Sequence, residues 1–362
     1  MNIAVIGCGF IAGTHAMVLT EMRDHKLALC IDKNILIAEE FAYKWSVEQY
    51  SDNEKLALEP SIDVVHICTP PVSHYDMVRD CLEAGKHVFC EKPLCLEDNQ
   101  AEELESMAKQ CKVVNGVGYN VSYHLPCREI TKLVQNPEFG RVHLIHGSYL
   151  QEFNALPTPV DWRYDKALAG NMRAVSEIGS HWFDLAQTLS GKKIIAVSAT
   201  FGNFNPSRYE WDGLMYGREM YGSEMHGART VQVDSEDAAI VQLRFEDGAI
   251  GSVVLSEVSQ GRINRLSIEI TGENTNIWWD SENNNVMYKG RKNEGVLSNV
   301  FPFGNGFADT QRLLFREFYE DVWAGTPSLN PSYPTFNEAA RIVRLCNAAY
   351  NSANDHSMWV YL

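Results

Sequence analysis

The segment Glu177-Ile178-Gly179-Ser180-His181-Trp182-Phe183-Asp184 sets three ionisable side chains among three large apolar ones. At about 100° per residue, Ile178, Trp182, Leu185 and Leu189 form one helical stripe, and Glu177, His181, Asp184 and Thr188 form a second stripe beside it. An imidazole exchanges protons near neutral pH, and a carboxylate about one turn away on either side can orient it, so the row suits proton transfer. Glu177 is then a substrate anchor or a histidine orienter. Asp184 either bonds the imidazole or caps a neighbouring loop, and the bland alternative for the whole row is a solvated polar face. Ser176 is placed to cap the helix, with Glu177 in the favourable first turn and Ser190-Gly191 as the stop.

A second reactive group lies far upstream. Glu91-Lys92-Pro93 follows the apolar run His87-Val-Phe-Cys90, and a proline after Lys92 disfavours the α region for the lysine and holds it extended. The Lys92-Pro93 bond is a candidate for the cis form. Thr69-Pro70-Pro71 and His74 follow the run Val64-Val-His-Ile-Cys68 in the same way. Both segments therefore belong at strand ends, where a cofactor sits in an open α/β sheet.

The cofactor itself is indicated by Gly7-Cys8-Gly9-Phe10-Ile11-Ala12, which follows the strand pattern NIAVI and opens a helical stretch. Gly7 permits the tight turn, Gly9 lets backbone approach a pyrophosphate, Ala12 is small enough for helix-strand packing, and the helix N-terminus favours negative charge. Alone this pattern is weak; Asp32 strengthens it, because it ends the next strand where a carboxylate bonds both ribose hydroxyls. A carboxylate there repels a 2′-phosphate, so NAD is expected, with Lys33 beside it keeping NADP as the second choice.

The elements that must carry these groups follow from the pattern. Up to about residue 120, short apolar runs alternate with helix-length stretches, which specifies a parallel sheet covered on both faces. Beyond it, helical stretches around Pro126 to Val134 and Ile178 to Ser190 and the runs VHLIHGSYL, IIAVSATF, AAIVQLRF, AIGSVVLSEV and RLSIEITG imply a mostly antiparallel sheet. The expected organisation is a dinucleotide-binding Rossmann domain over 1–120 and an α/β substrate and oligomerisation domain with a large open sheet over 121–305. Helices over 306–362 are expected to pack back on the core. The Gly-, Met- and aromatic-rich segment between Phe201 and Val233, which includes Trp211, reads as substrate cover or subunit contact.

Composition narrows the function classes. The formal charge of −16, from 31 basic against 47 acidic residues, disfavours nucleic acid and anionic membrane as partners and suits a small neutral ligand. The start MNIAVIGCGF has no basic leader, and no apolar run reaches the length of a membrane span, so a cytoplasmic protein is expected. Nine cysteines, all but Cys346 before residue 130, include no CxxC pair and read as buried reduced thiols; no metal site is expected.

GCGFIA, TPPVSH, CEKP, VDWR, EIGSHWFDL, SEDAAIVQLRFEDGAIG and QGRINRLSIEITG, in this order, resemble the Gfo/Idh/MocA oxidoreductases, the family of glucose-fructose oxidoreductase and inositol dehydrogenase. The resemblance implies nicotinamide-dependent redox chemistry on sugars and cyclitols, and dimers or tetramers joined through the open sheets. It also implies that Lys92 and His181 flank the substrate and that Trp162-Arg163 lies near cofactor or substrate. Asn120 on the cofactor side and Tyr123 on the substrate side complete the candidates. The chain departs from the family pattern in having Glu177 where Asp is usual and Val-Ser-Tyr-His after Asn120.

The expected activity is an NAD-dependent dehydrogenase acting on a secondary alcohol of a sugar, anhydrosugar or cyclitol. His181 is the acid-base group, Lys92 its electrostatic partner, and Glu177 the third catalytic residue. Two other readings use the same elements: an NAD-retaining glycosidase working by transient oxidation, and a cofactor-binding regulator without turnover.

Overall fold

Runs such as Val64–Ile67, buried along their whole length, form strands because a parallel sheet hides both faces and so needs apolar side chains at every position. In the computed structural model, which describes all residues except 23, 157–158, 211–228 and 305, the chain begins with β1 (Asn2–Ile6), α1 (Phe10–Glu21), β2 (Lys26–Ile31), α2 (Ile35–Trp45) and β3 (Gln49–Ser51). It continues through β4 (Val64–Ile67), α3 (His74–Glu83), β5 (His87–Cys90), α4 (Asp98–Cys111) and β6 (Asn115–Val117). Next come α5 (Leu125–Val134), β7 (Val142–Leu150), α6 (Lys166–Ala169), α7 (Ser180–Ser190) and β8 (Ile194–Gly202). The strands β9 (Ser207–Tyr209), β10 (Thr230–Gln232), β11 (Ala238–Phe245), β12 (Ile250–Ser256) and β13 (Arg265–Gly272) follow. After these are β14 (Asn276–Asp280), β15 (Val286–Arg291), β16 (Gly295–Val300), α8 (Phe307–Ala324), α9 (Phe336–Asn354) and β17 (Val360–Tyr361).

The chain forms two units, Met1–Tyr123 with Gly306–Val343, and His124–Asn305 with Arg344–Leu362. The segment 306–362 is thus divided between them. In the first unit six parallel strands take the order β3-β2-β1-β4-β5-β6, so the direction of winding reverses between β1 and β4. That reversal is where open α/β sheets bind ligands. The α8 residues Leu314, Phe315, Phe318, Tyr319 and Val322 join the core under β1, β4 and β5, and the outer strand β6 gives its Val117 N–H to the Pro334 carbonyl.

The second unit contains a nine-stranded sheet in the order β16-β15-β14-β13-β7-β12-β11-β8-β17. Only β7 and β12 run parallel; the other neighbours are antiparallel. Burial alternates along β11: Ala239, Val241, Leu243 and Phe245 point inward, and Ile240 is exposed opposite the exposed Val254 of β12. α5 and α7 pack on the sheet, where the Trp182 indole N–H donates to the Ser267 carbonyl at 3.0 Å. The strands β14 to β16 were not anticipated, and the segment expected to act as a cover has only its flanks in β9 and β10. Its centre, with Trp211, lies outside the described residues.

Candidate functional site

In the first unit, the turn between β1 and α1 approaches the loop after β4 very closely. Gly7 has φ +86°, and a Cβ on it would stand 2.8 Å from both the carbonyl carbon and oxygen of Cys68, so both its conformation and the space require glycine. Gly9 is different: a Cβ there would meet nothing within 4 Å, so open space faces its backbone. It starts α1 without any side-chain cap, which leaves first-turn N–H groups for an anion. Ala12 is buried where helix meets strand, Ile11 packs at the core margin, and Phe10 is exposed.

Asp32 lies just beyond β2, with Oδ2 accepting the Cys8 N–H and Oδ1 the Asn34 N–H, each at 2.9 Å. Its carboxylate is thereby fixed to the glycine turn and keeps lone pairs for ribose hydroxyls. The fit to a dinucleotide rests on this fixed carboxylate, the uncapped helix and the space before Gly9.

The strand-end loops after β4 and β5 are tied together by His74. This fully buried imidazole has Nδ1 2.7 Å from the Pro93 carbonyl and Nε2 2.7 Å from the Thr69 carbonyl. Burial pulls its pKa below the ordinary value, and the two carbonyl contacts act in the opposite direction. Pro70 is half-buried, and the Ser73 hydroxyl donates to Thr69 Oγ1 at 2.7 Å. The Lys92–Pro93 peptide is cis. Buried Glu91 receives the Lys92 backbone N–H on Oε2 at 3.3 Å and has Oε1 3.0 Å from His15 Nε2.

Two other candidates hold this unit together. Asn120 donates its amide N–H to Thr310 Oγ1 at 2.8 Å, and the buried Tyr123 hydroxyl stands 2.8 Å from Glu317 Oε2 and 3.0 Å from the Ser332 carbonyl. Both anchor the end of the sheet to the segment around α8.

In the second unit the helix bearing His181 begins differently from the expectation. Ser176 is not its cap. A π turn over Val175–Gly179 runs into α7 with helical backbone on either side, and the Ser176 hydroxyl bonds back to the Met172 and Arg173 carbonyls. A side chain turned back along the helix cannot reach forward to cap it. The capping is supplied from elsewhere: Glu236 Oε1 accepts the N–H of Arg173 at 2.9 Å and of Val175 at 2.8 Å. Gly191 ends α7 in the left-handed region, as expected.

The polar row is not a solvated face, since Asp184 is buried, His181 is half-buried and only Thr188 is exposed. Glu177 Oε2 lies 3.8 Å from Arg163 Nε, which brings two candidates from separate motifs into one ion pair. Arg163 also donates to Asp161 Oδ2 at 3.1 Å and lies over the Trp162 ring, 4.5 Å from its centroid.

The residues that the sequence pattern did not reveal form the ground beneath this helix. Buried Arg173 donates from Nε to Glu257 Oε2 at 2.6 Å, and buried Arg208 donates from Nη2 to Asp237 Oδ1 at 3.1 Å. Both guanidinium groups lie over the Tyr164 ring. Glu236 and Asp237 were visible within the SEDAAIV motif, but nothing in it named their partners.

A glycine turn into an uncapped helix, a fixed acid at the end of β2 and strand-end loops meeting at the winding reversal define a dinucleotide-dependent oxidoreductase of Rossmann type. Residues 1–119 match the family model described as "Oxidoreductase family, NAD-binding Rossmann fold", and residues 127–277 match the "GFO/IDH/MocA C-terminal domain". The chain belongs to the Gfo/Idh/MocA oxidoreductase family.

Among its relatives, levoglucosan dehydrogenase from Pseudarthrobacter phenanthrenivorans is 28% identical, over 99% of this chain and 97% of that protein. Myo-inositol 2-dehydrogenase from Thermotoga maritima is 26% identical, over 90% of each. The solved structure of a levoglucosan dehydrogenase in complex with NADH and L-sorbose covers 100% of this chain and 98% of that one, with TM-score 0.89 at 24% identity, and so shares the fold. No helix among the described residues is long and apolar enough to cross a membrane.

Proposed function

We propose that the protein is an NAD-dependent dehydrogenase that oxidises a ring secondary alcohol of a sugar, anhydrosugar or cyclitol, or reduces the corresponding ketone. The observation that carries this reading is the place of Lys92 immediately after β5, at the carboxyl edge of the sheet that also holds the glycine turn and Asp32. Ligands of such sheets bind at that edge. The relatives named for levoglucosan and myo-inositol oxidation support a polyhydroxylated ring as the substrate class.

Bound NAD supplies the hydride acceptor. The Lys92 ammonium stabilises developing alkoxide character on the reacting oxygen and lowers the pKa of that hydroxyl. His181 accepts the hydroxyl proton, and Glu177, held near Arg163, anchors a neighbouring hydroxyl or orients the imidazole. Asp32 holds the ribose diol, which favours NAD over NADP.

The exposed pair Ile240 and Val254 on the open sheet supports association of copies of the chain through that face, as a dimer or tetramer. Nine free cysteines, all but Cys111 buried, fit a reducing cytoplasm.

The test is NAD and NADP reduction by the purified protein across monosaccharides, anhydrosugars, inositols and sugar acids. At least one polyol of these classes is expected to yield NADH, and none doing so would overturn the proposal. With an active substrate, His181→Ala should lose at least ~10²-fold in turnover while still binding NADH. A kcat near that of the parent would remove His181 from the base role.

A further inference from the structure

One polar path crosses the core of the first unit. Tyr319 Oη on α8 lies 2.8 Å from His66 Nε2 on β4, and His66 Nδ1 lies 2.9 Å from His15 Nδ1 on α1. His15 Nε2 then meets Glu91 Oε1 at 3.0 Å, and the other oxygen of Glu91 accepts the Lys92 backbone N–H. His15, His66 and Tyr319 are 0% exposed and Glu91 is 7% exposed. Phe89 and Phe315 pack against both imidazole rings.

A hydrogen bond between two imidazoles requires one ring to donate and the other to accept, so the path has a direction. Tyr319 fixes which one. Its only hydrogen-bond contact among the described residues is His66 Nε2, and a buried hydroxyl proton without an acceptor is costly, so the phenol donates. His66 therefore carries its proton on Nδ1 and gives it to His15 Nδ1; His15 carries its proton on Nε2 and gives it to Glu91. In this order the Cys68 thiol, 3.4 Å from His15 Nδ1, donates to the same acceptor.

The reverse order would leave the Tyr319 proton unpaired or require a buried phenolate. Burial drives the Tyr319 phenol well above its usual range and draws His66 well below its own, so the first stays protonated and the second stays neutral.

We propose that His15, His66 and Tyr319 are positioning residues: their one-way run of donors holds the Glu91 carboxylate as the acceptor for the Lys92 backbone and so sets where Lys92 stands. The catalytic half of this inference rests on the dehydrogenase reading; the direction of the path does not. Glu91 is fixed at one oxygen by a core that contains α8 and at the other by the residue beside the reaction. A side chain on α8 thereby acts on Lys92 without touching substrate.

Two measurements test this. In the intact protein with ¹⁵N-labelled histidine, long-range ¹⁵N–¹H spectra should show His66 as the Nδ1–H tautomer and His15 as the Nε2–H tautomer; His66 as Nε2–H would overturn the direction. This needs no substrate and no variant, so failure to find dehydrogenase activity sinks the functional reading and leaves the path intact.

With a substrate in hand, Tyr319→Phe should lower kcat about three- to tenfold, the size of one lost hydrogen bond, with NADH affinity unchanged. The loss should disappear in a Glu91→Gln background, where the terminal acceptor is no longer a carboxylate. An unchanged kcat in Tyr319→Phe, or an equal loss in both backgrounds, would reduce the path to a packing feature.

Discussion

In the first unit, the path from Tyr319 to Glu91 crosses the core through two imidazoles and a phenol and ends on one carboxylate. In the second, Arg173 pairs with Glu257 and Arg208 with Asp237 as two buried ion pairs. This path is directional and adds little to stability, because each of its bonds replaces one that water would have made. The ion pairs have the opposite balance: their desolvation cost is already met in the folded state, so removing one partner exposes the full cost of the other. Breaking the first path orphans one buried polar group, at about 1–3 kcal/mol, against about 3–5 kcal/mol for a buried charge, so the second unit is the more brittle.

The sharpest break of this contrast is Arg173→Met. Among the described residues it leaves the buried Glu257 carboxylate with the Asn154 amide as its remaining side-chain partner, and should destabilise the protein by about 3–5 kcal/mol in denaturant unfolding. Adding Glu257→Leu should recover most of that loss; if the double variant is no better than the single, the ionic account fails.

A smaller effect is expected on the other side of the comparison. Asp32→Ala removes a carboxylate at the edge of the first unit, and should weaken NAD about tenfold or more, NADP less, with little change in folding. An unchanged ratio of the two affinities, measured by calorimetry, would dismiss the ribose contact.

The smallest effect concerns pH. Burial, with Glu257 adding to it, pushes the Glu236 carboxyl up to about 7, although the Arg173 and Val175 N–H groups pull it down. The folded value lies above the ordinary 4.5, so the folded state holds the extra proton between the two. The stabilising contribution is therefore complete below pH 4.5 and disappears as pH rises through 7. Glu236→Gln keeps an acceptor for the same N–H groups and should flatten this slope, so that the variant gains on the parent between pH 5 and 8. Parallel urea-midpoint curves would show that Glu236 does not titrate there.

How much of this was legible depended on whether cause and effect were neighbours in the chain. The turn at Gly7, the acid after β2 and the lysine before Pro93 could be read, because strand, turn and helix follow one another and each residue type answers a local requirement. The end of α7 at Gly191 was equally local. Its start was not: Ser176 matches a cap by type, but only the fold reveals that helical backbone already precedes it and that Glu236 seals it from the loop before β11. The Arg173–Glu257 and Arg208–Asp237 pairs join residues 84 and 29 positions apart, and no periodicity links them. The strands β14 to β16 escaped because their sequences hide the pattern: β14 alternates in burial but carries Trp278 on its outer face, and β16 is exposed along its whole length and exists through pairing with β15.

The helix α8 has a consequence for how the protein is made. His66 emerges from the ribosome 253 positions before Tyr319, and until that partner arrives the nascent N-terminal sheet has an unfilled apolar side and an unpaired Val117 N–H at its rim. The sheet that carries the glycine turn is therefore translated before α8 and closes only once α8 arrives, so its apolar side stays open to aggregation over that interval.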